Sequence, residues 1–344
     1  MNLEEVKRYL KEYDGPEIRI MEVCGSHTAA ISKNGIRGML SSKIKLLSGP
    51  GCPVCVTPTA YVDRLIELAM MPNTCVVTFG DMLRVPGSKT SLSEAAGLGA
   101  KSVMVYSPMD IVKLAEENPQ ITYVFAAVGF ETTTPVYALL MEEIVERKLG
   151  NVKLLTALKT MPGVVDYLCR EGAKINGFLA PGHVTAVTGS DIFKPLAEAY
   201  RIPFGVGGFE GEEILYALCG IVKEIGKGTV MNFYPQVVTP EGNTKAKALV
   251  EKYFMSADAT WRGMGRIPMT GMVLKPEYAV YDAGSRNLSE DNKKNKACCC
   301  DKILMGKMNP QDCPLFGKVC KPLTPQGACM VSTEGSCHSA FASN

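Results

Sequence analysis

The sequence lacks several features that define common classes of protein. Its 37 lysines and arginines nearly balance 35 aspartates and glutamates, so the formal net charge is only +2. Proteins that bind nucleic acid or anionic membranes need a basic excess, so neither class is indicated. No run approaches the ~20 uncharged apolar residues of a membrane span. The opening residues, MNLEEVKRYLKEYDG, predict a charged amphipathic helix rather than a signal peptide, which favours a cytoplasmic location.

Other signatures are also missing. Neither GxGxxG nor GxxxxGK[ST] occurs, so a nucleotide site has little support. The chain has one CxxC pair and only three histidines, which disfavours a zinc ribbon. Cysteine, in contrast, is abundant, with 13 in 344 residues and seven of them after residue 297. In a chain of this size without an export signal, clustered cysteines indicate metal ligands or redox thiols before structural disulfides.

The apolar pattern predicts an α/β protein. Short β-rich runs alternate with amphipathic stretches, which is typical of parallel sheets with helical crossovers. The predicted strands cover 74–79, 102–106, 122–128, 153–158, 177–180 and 202–206, and helices are predicted over 135–148 and 210–227. The strands are too many for one compact sheet, so we expect two α/β domains followed by an irregular cysteine-rich domain. The expected divisions are an N-terminal helix over 1–20 that packs on the C-terminal domain, α/β domains over 21–145 and 146–240, and a last domain over 241–344.

Two cysteine motifs precede the cysteine-rich domain. GPGCPVC places Cys52 and Cys55 at CxxC spacing, which suits a redox pair or a labile metal site. CGSHT follows a predicted strand and places Cys24 three residues before His27. Such a pair suits a nucleophile with its base, or a soft metal ligand with a nearby proton donor. A buried inert cysteine beside a core histidine is the structural alternative.

Two further turns follow predicted strands. GFETTTP carries Glu131, Thr132 and Thr133, and PGHVTAVTG carries His183. Ligands of parallel sheets bind at the carboxyl ends of strands, so these polar groups are candidates for holding a ligand. Helix capping before Pro135 would account for one threonine but not for Glu131.

The terminal cysteines are more numerous than the four thiolates that a single metal site requires. Four thiolates hold a [4Fe–4S] cluster, and zinc is the main rival because Cys₄ also suits tetrahedral zinc. Six prolines and glycines between residues 308 and 327 favour a segment that folds around metal or disulfides. Cys75, Cys169 and Cys219 each lie in an apolar run and are predicted to be core residues.

The motifs CGSHT, GPGCPVC, GFETTTP, PGHVTAVTG, WRGMGRIP and DCPLFGKVC occur in one order across nearly the whole chain. In this set the sequence resembles the HypD family of hydrogenase maturation factors. The resemblance implies two α/β domains with similar sheets and a third part that carries a [4Fe–4S] cluster. It also implies a scaffold on which the Fe(CN)₂CO unit of [NiFe]-hydrogenases is built, together with a HypC-type chaperone and a HypE-type cyanide donor. The hydrogenase large subunit would be an indirect partner of the protein.

The resemblance also implies roles for residues. Cys24 becomes the thiolate ligand of the assembling iron, and Cys52 and Cys55 become a redox pair that also touches the iron transiently. The cleft between the α/β domains would be lined by His27, Glu131, Thr132, Thr133 and His183. The cluster ligands would be Cys298, Cys313, Cys320 and Cys337. Cys300 and Cys329 would form a nearby dithiol or disulfide.

The sequence departs from the family pattern at two informative positions. Ala29 stands where the family usually has a second histidine. Cys299 is an additional thiol in a segment that usually reads CxC, so the first cluster ligand could be Cys298 or Cys299. Two other hypotheses remain at this stage, namely an iron–sulfur-dependent protein disulfide reductase acting through Cys52 and Cys55, and a zinc-stabilised binding module.

Overall fold

The computed structural model describes residues 1–288 and 295–342, so most of the charged stretch 289–296 lies outside the described residues. The strands are β1 Ile18–Glu22, β2 Ile44–Ser48, β3 Thr74–Thr78, β4 Ser102–Met104, β5 Thr122–Gly129, β6 Val152–Lys159, β7 Gly177–Pro181, β8 Phe204–Gly207, β9 Val230–Asn232, β10 Phe254–Trp261 and β11 Gly265–Leu274. The helices are α1 Leu3–Lys11, α2 Gly25–Lys33, α3 Ile36–Met39, α4 Pro53–Val56, α5 Thr59–Ala69, α6 Gly80–Arg84, α7 Leu92–Ala96, α8 Asp110–Glu117, α9 Thr134–Glu146, α10 Met161–Arg170, α11 Gly182–Thr188, α12 Lys194–Tyr200, α13 Gly211–Lys223, α14 Thr244–Tyr253, α15 Cys300–Leu304 and α16 Ser336–Ala342.

The strands form two sheets, as the α/β prediction requires. Sheet A has the order β2-β1-β7-β8-β9 and is parallel throughout. Sheet B has the order β10-β11-β6-β5-β3-β4 and is parallel from β6 to β4. The hairpin β10–β11 joins sheet B antiparallel, which the prediction of parallel sheets did not include. The six predicted strands and both predicted helices are present, with ends that shift by a few residues.

The distribution of strands between the sheets departs from the predicted division at 145/146. The first two strands pair with β7, β8 and β9, while β6 lies beside β5. The polar helix end near residue 146 therefore belongs to an ordinary crossover, in which α9 joins two neighbouring parallel strands. No single cut separates the two sheets, because the chain leaves sheet A after β2 and returns to it at β7.

The N-terminal helix is present, but its expected position on the C-terminal domain is wrong. Asn2 caps α1 and forms a capping box with Glu5. The inward face presents Val6 and Leu10, both buried, four residues apart. These side chains belong to an apolar cluster with α13 and with strands of sheet A. The helix therefore covers one face of sheet A.

The cysteine-rich segment packs against the rest of the molecule at both sheets. Its cysteines share an apolar cluster with β7, β8 and α10. Ala328 and Val331 belong to a second cluster, with α5 and strands β3 and β5. No helix of the described residues is both long and apolar enough to cross a membrane.

Candidate metal and redox site

The predicted cysteine motifs meet at the carboxyl ends of two neighbouring strands. Cys24 follows β1 and is the N-cap residue of α2, and the GPGCPVC loop follows β2. The loop contacts the Cys24 segment directly, because Gly25 N donates to Gly51 O at 3.0 Å. A side chain at Gly51 would clash with the backbone of Cys24, so only glycine permits this approach. The structure thus brings together two motifs that lie about 28 residues apart in the chain.

Cys24 lies in a buried, acidic environment. The residue is 8% exposed, and burial raises the pKa of its thiol to about 12. Glu334 and Glu22 raise it further, whereas the backbone N–H groups of His27 and Ser26 lower it. The thiolate of Cys24 would therefore need a nearby cation to be stable.

Glu22 holds the turn that carries Cys24. Its Oε2 accepts from Cys24 N at 3.2 Å, and its Oε1 accepts from Thr28 Oγ1 at 2.5 Å. Glu22 is 1% exposed, and burial raises its pKa to about 7. Glu22 was not selected from the sequence, although a carboxyl group inside the predicted strand that precedes CGSHT was a signal that it has a special role.

Glu334 is the second acidic residue that the sequence analysis missed. It belongs to the C-terminal region, and its Oε1 accepts from Ser26 Oγ at 2.8 Å. Its side chain also packs over Gly25. The carboxylate therefore lies at the start of α2, beside the Cys24 segment. No local pattern in the sequence links it to a residue some 310 positions earlier.

Cys52 and Cys55 form a disulfide at the start of α4, with their Cα atoms 5.2 Å apart. Cys52 is the N-cap residue, Pro53 is in the first turn, and Cys55 N donates to Cys52 Sγ at 3.2 Å. Both cysteines are buried. The Cys55 sulfur also lies 4.0 Å from the carbonyl of Ala328, the residue before Cys329. The pair therefore lies between the Cys24 segment and the terminal cysteines.

The two predicted histidines both contact the ring of Phe209. The His27 ring is 4.8 Å from the Phe209 ring, and the His183 ring stacks on it at 4.0 Å. His27 is fully buried, its Nε2 lies 2.9 Å from Gly208 O, and its Nδ1 has no hydrogen-bond partner. Burial lowers the pKa of His27 to about 4, so the ring is neutral near pH 7. Phe209, which sequence reasoning did not select, joins the loop after β8 to these two histidines.

The GFETTTP loop lies at the end of β5 and contacts the start of α10. Glu131 Oε1 accepts from Met161 N at 2.7 Å, while its Oε2 is buried without a partner. Burial raises the pKa of Glu131 to about 7. Thr132 and Thr133 hydroxyls lie 3.4 Å apart. The loop contributes Phe130 to the apolar cluster that contains Cys52 and Cys55.

The motif WRGMGRIP holds the helix of the disulfide in place. Arg262 is 4% exposed; its backbone N donates to Val56 O at 2.8 Å, and its Nε donates to Thr57 O at 2.7 Å. These two carbonyl groups lie at the C-terminus of α4 and have no hydrogen-bond donor within the helix. Arg262 supplies the donors for both. The next residue, Gly263, packs against Asp301, which follows Cys300. The motif therefore connects the disulfide helix to the cysteine-rich segment.

The four terminal cysteines predicted as cluster ligands surround one small cavity. Cys298, Cys313, Cys320 and Cys337 line it together with Cys300, and its other walls are apolar. Cys298 and Cys300 sulfurs are 3.3 Å apart, and a side chain at Gly327 would come within 2.6 Å of both. Cys299 is half-buried, its sulfur lies 3.5 Å from Ala297 O, and it does not line the cavity.

The thiols of Cys300 and Cys329 interact through a side-chain hydrogen bond, and each also contacts Cys337. The hydrogen bond with Cys300 and the burial of the site raise the pKa of Cys337. Across residues 1–288 and 295–342, no three His, Cys, Asp or Glu side chains converge as ligands of a single ion. An all-thiol lining nevertheless fits soft metal chemistry, of which an iron–sulfur cluster is one form.

Of the three cysteines predicted to be structural, Cys75 and Cys219 lie in other apolar clusters, whereas Cys169 packs on the cluster that contains the terminal cysteines. Cys75 and Cys219 are buried in clusters on sheet B and sheet A, respectively. Cys169 is half-buried and packs on the cluster of α10. Their assignment to the core holds for the first two and in part for the third.

Comparison with known proteins gives one family. The HypD family model, described as "Hydrogenase formation hypA family", matches residues 2–344. The chain is 41% identical over 335 residues to the hydrogenase maturation factor HypD of Rhizobium leguminosarum bv. viciae, which covers 94% of this chain and 87% of that protein. It is 40% identical over 338 residues to HypD of Azotobacter vinelandii, covering 95% and 89%. It is 39% identical over 326 residues to HypD of Escherichia coli K12, covering 93% and 87%. With a match over the whole length and identities near 40%, the chain belongs to the HypD family of hydrogenase maturation factors.

Proposed function

We propose that the protein is the scaffold on which the Fe(CN)₂CO unit of [NiFe]-hydrogenase is assembled. The observation that carries this proposal is the meeting of Cys24 with the Cys52–Cys55 loop at the ends of β1 and β2. Cys24 is the ligand of the incoming iron, which is the substrate. Its thiol is buried and protonated, so iron binding displaces the proton and supplies the positive charge that the thiolate needs.

The surrounding residues orient and shield the iron ligand. Glu22 fixes the backbone of Cys24, and Glu334 closes over the start of α2. His27 is fully buried, held by Gly208 and in contact with Phe209, while His183 is exposed and stacks on the same ring. Glu131, Thr132 and Thr133 belong to the polar loop at the end of β5. In this proposal these groups and the two histidines line the cleft in which cyanide and carbon monoxide would meet the iron.

The terminal cysteines fit a [4Fe–4S] cluster held by Cys298, Cys313, Cys320 and Cys337, with Cys300 and Cys329 as a neighbouring thiol pair. Such a cluster supplies electrons one at a time. The contact of Cys55 with Ala328 places the Cys52–Cys55 disulfide next to that thiol pair. Opening the disulfide takes two electrons and two protons and yields two thiols, each of which could then contact iron.

The proposal implies two kinds of partner. A HypC-type chaperone would share the iron unit and carry it toward the hydrogenase large subunit, and a HypE-type protein would donate cyanide. Anaerobic co-purification with a HypC-type partner, followed by infrared spectroscopy, tests the assignment. Bands in the cyanide and carbon monoxide stretching region are expected, and a preparation with bound iron but no such bands would contradict the scaffold role.

One observation also favours a second function. The Cys52–Cys55 disulfide borders the terminal thiols, which is the arrangement that an iron–sulfur-dependent protein disulfide reductase would need. A reductase carries no cyanide or carbon monoxide, so the same infrared experiment separates the two functions. Iron and zinc analysis of the anaerobic protein distinguishes both from a zinc-stabilised module.

A further inference from the structure

The loop over the proposed cluster cavity exposes apolar side chains to solvent. Val319 is 53% exposed and Leu323 is 93% exposed, although each lies close in sequence to the buried Cys320. Cys320 lines the cavity, and Val319 directly precedes it. The residue next to Cys320, a proposed cluster ligand, is therefore on the protein surface.

Hydrogen bonds fix the shape of this loop. Cys320 N donates to Leu315 O at 3.0 Å, and Gly317 N donates to Cys320 O at 3.1 Å. Gly317 adopts a φ of +69°, which glycine tolerates without strain. Thr324 Oγ1 donates to Val319 O at 2.9 Å and ties the second half of the loop to the first. The exposed apolar residues are thus held outward by a defined backbone.

The charges around these residues are mainly positive. Lys318 and Lys321 are exposed on either side of Val319 and Cys320, and their amines have no partner among the described residues. Lys302 is exposed on α15, beside Cys299. The acidic residue nearest in sequence, Asp312, is engaged with Asn309. We define the docking patch as Lys318, Val319, Lys321 and Leu323.

We propose that the docking patch binds a small acidic protein that carries one electron at a time and delivers it to the cluster. This inference rests on the proposed function and adds the place and the chemistry of electron entry. An apolar centre with a charged rim is typical of transient protein interfaces, and weak redox encounters use small ones. Opposite charges steer such partners together and make the association rate fall with ionic strength. One electron leaves the donor and enters the thiolate-bound cluster, and no bond is made or broken in that step.

Stopped-flow reduction of the anaerobically prepared, cluster-containing protein tests the patch. A reduced plant-type ferredoxin serves as the acidic donor, and dithionite serves as a small reductant that needs no docking. The variant Lys318→Glu/Lys321→Glu should lower the second-order rate with ferredoxin by about tenfold or more at low salt. In this variant the rate with ferredoxin should no longer fall as the salt concentration rises. The rate with dithionite should stay within about twofold of that of the unmodified protein. Calorimetric titration with oxidised ferredoxin should show the matching loss of affinity, independent of any turnover.

A matched control changes the same number of charges elsewhere. Lys113 on α8 and Lys245 on α14 are exposed, so Lys113→Glu/Lys245→Glu has the same net charge as the test variant. This control should reduce as fast as the unmodified chain. Equal loss in both variants would show that overall charge, rather than the docking patch, governs the rate, and unchanged rates in the test variant would likewise overturn the inference. Absence of any iron–sulfur chromophore would contradict both the proposed function and the docking patch. A normal chromophore, with an unchanged rate of reduction by ferredoxin in Lys318→Glu/Lys321→Glu, would contradict the docking patch alone.

Discussion

Two carboxyl groups at the strand ends, Glu22 and Glu131, are buried, and burial raises the pKa of each to about 7. Glu22 is surrounded by donors, because Cys24 N and Thr28 Oγ1 bind its two oxygens. Glu131 has one oxygen bound by Met161 N and the other buried without a partner. Hydrogen bonds therefore stabilise the carboxylate of Glu131 less well than that of Glu22.

This difference predicts how stability depends on pH. Between about pH 4.5 and 7, folded Glu131 keeps a proton that the unfolded chain releases. The folded state therefore loses stability as pH rises through this window, and the full loss persists above it. Glu131→Gln should remove this contribution, on the order of 1–3 kcal/mol, so the variant gains stability relative to the parent as pH rises from 5 to 8.

Urea unfolding of both proteins across that pH range provides the measurement. The comparison uses the difference in the free energy of unfolding, so the contribution of His27 cancels. His27 acts in the opposite sense, because its lowered pKa makes stability rise between about pH 4 and 6.5. A difference that stays constant across the range would show that Glu131 does not hold its proton in the folded state.

Single residues also show what could be predicted from sequence. Cys24 was found because it lies in a glycine-rich turn after an apolar run, and Cys52 and Cys55 were found from their CxxC spacing. Phe209 and Glu334 were not found, because their importance comes from contacts with α2, which is distant in the sequence. Such contacts depend on tertiary packing rather than on local pattern.

Among the elements, α1 was predicted from the sequence, but the helix on which it packs was not. The opening residues predicted an amphipathic helix, and its apolar Val6 and Leu10 are buried in the structure. The partner, α13, begins some 200 residues later, and sequence periodicity alone does not identify it. Strands β2, β9, β10 and β11 were not predicted, and of these β9 spans only three residues, which carry little periodic signal.

The packing of α1 on α13 can be tested by a cavity mutation. Leu10 is fully buried, so Leu10→Ala should lower the free energy of unfolding by about 2–5 kcal/mol. Leu139→Ala on α9 is the control, because Leu139 is 45% exposed and should cost far less. Chemical denaturation measures both, and equal effects of the two substitutions would argue against the position of α1.

The segment 298–337 should depend on bound metal for its order. Its elements are short, with α15 spanning only Cys300–Leu304, and its cavity is lined by thiols. Removal of the cluster should therefore increase amide exchange in this segment, while β5 and β7, which are buried along their length, remain protected. Exchange that is unchanged in 298–337 after iron loss would show that metal does not hold this segment together.

At the scale of the whole molecule, the two sheets share one chain that passes between them three times, after β2, β6 and β9. The cysteine-rich region contacts both, with Ala328 and Val331 against sheet B and Cys329 in the cluster on sheet A. Glu334 then reaches the start of α2. The proposed electron route from the terminal cysteines to Cys24 thus follows contacts that also hold the two sheets together.

The central claim is that Cys24 holds the iron. Infrared spectroscopy of the protein co-purified anaerobically with a HypC-type partner tests it most directly. Cys219→Ala is the control, because Cys219 is a buried thiol in the apolar cluster of α1 and α13, which does not include Cys24. The account predicts cyanide and carbon monoxide bands in the parent and in Cys219→Ala, and their loss in Cys24→Ala while the chromophore near 400 nm remains. Bands of unchanged intensity in Cys24→Ala would contradict it.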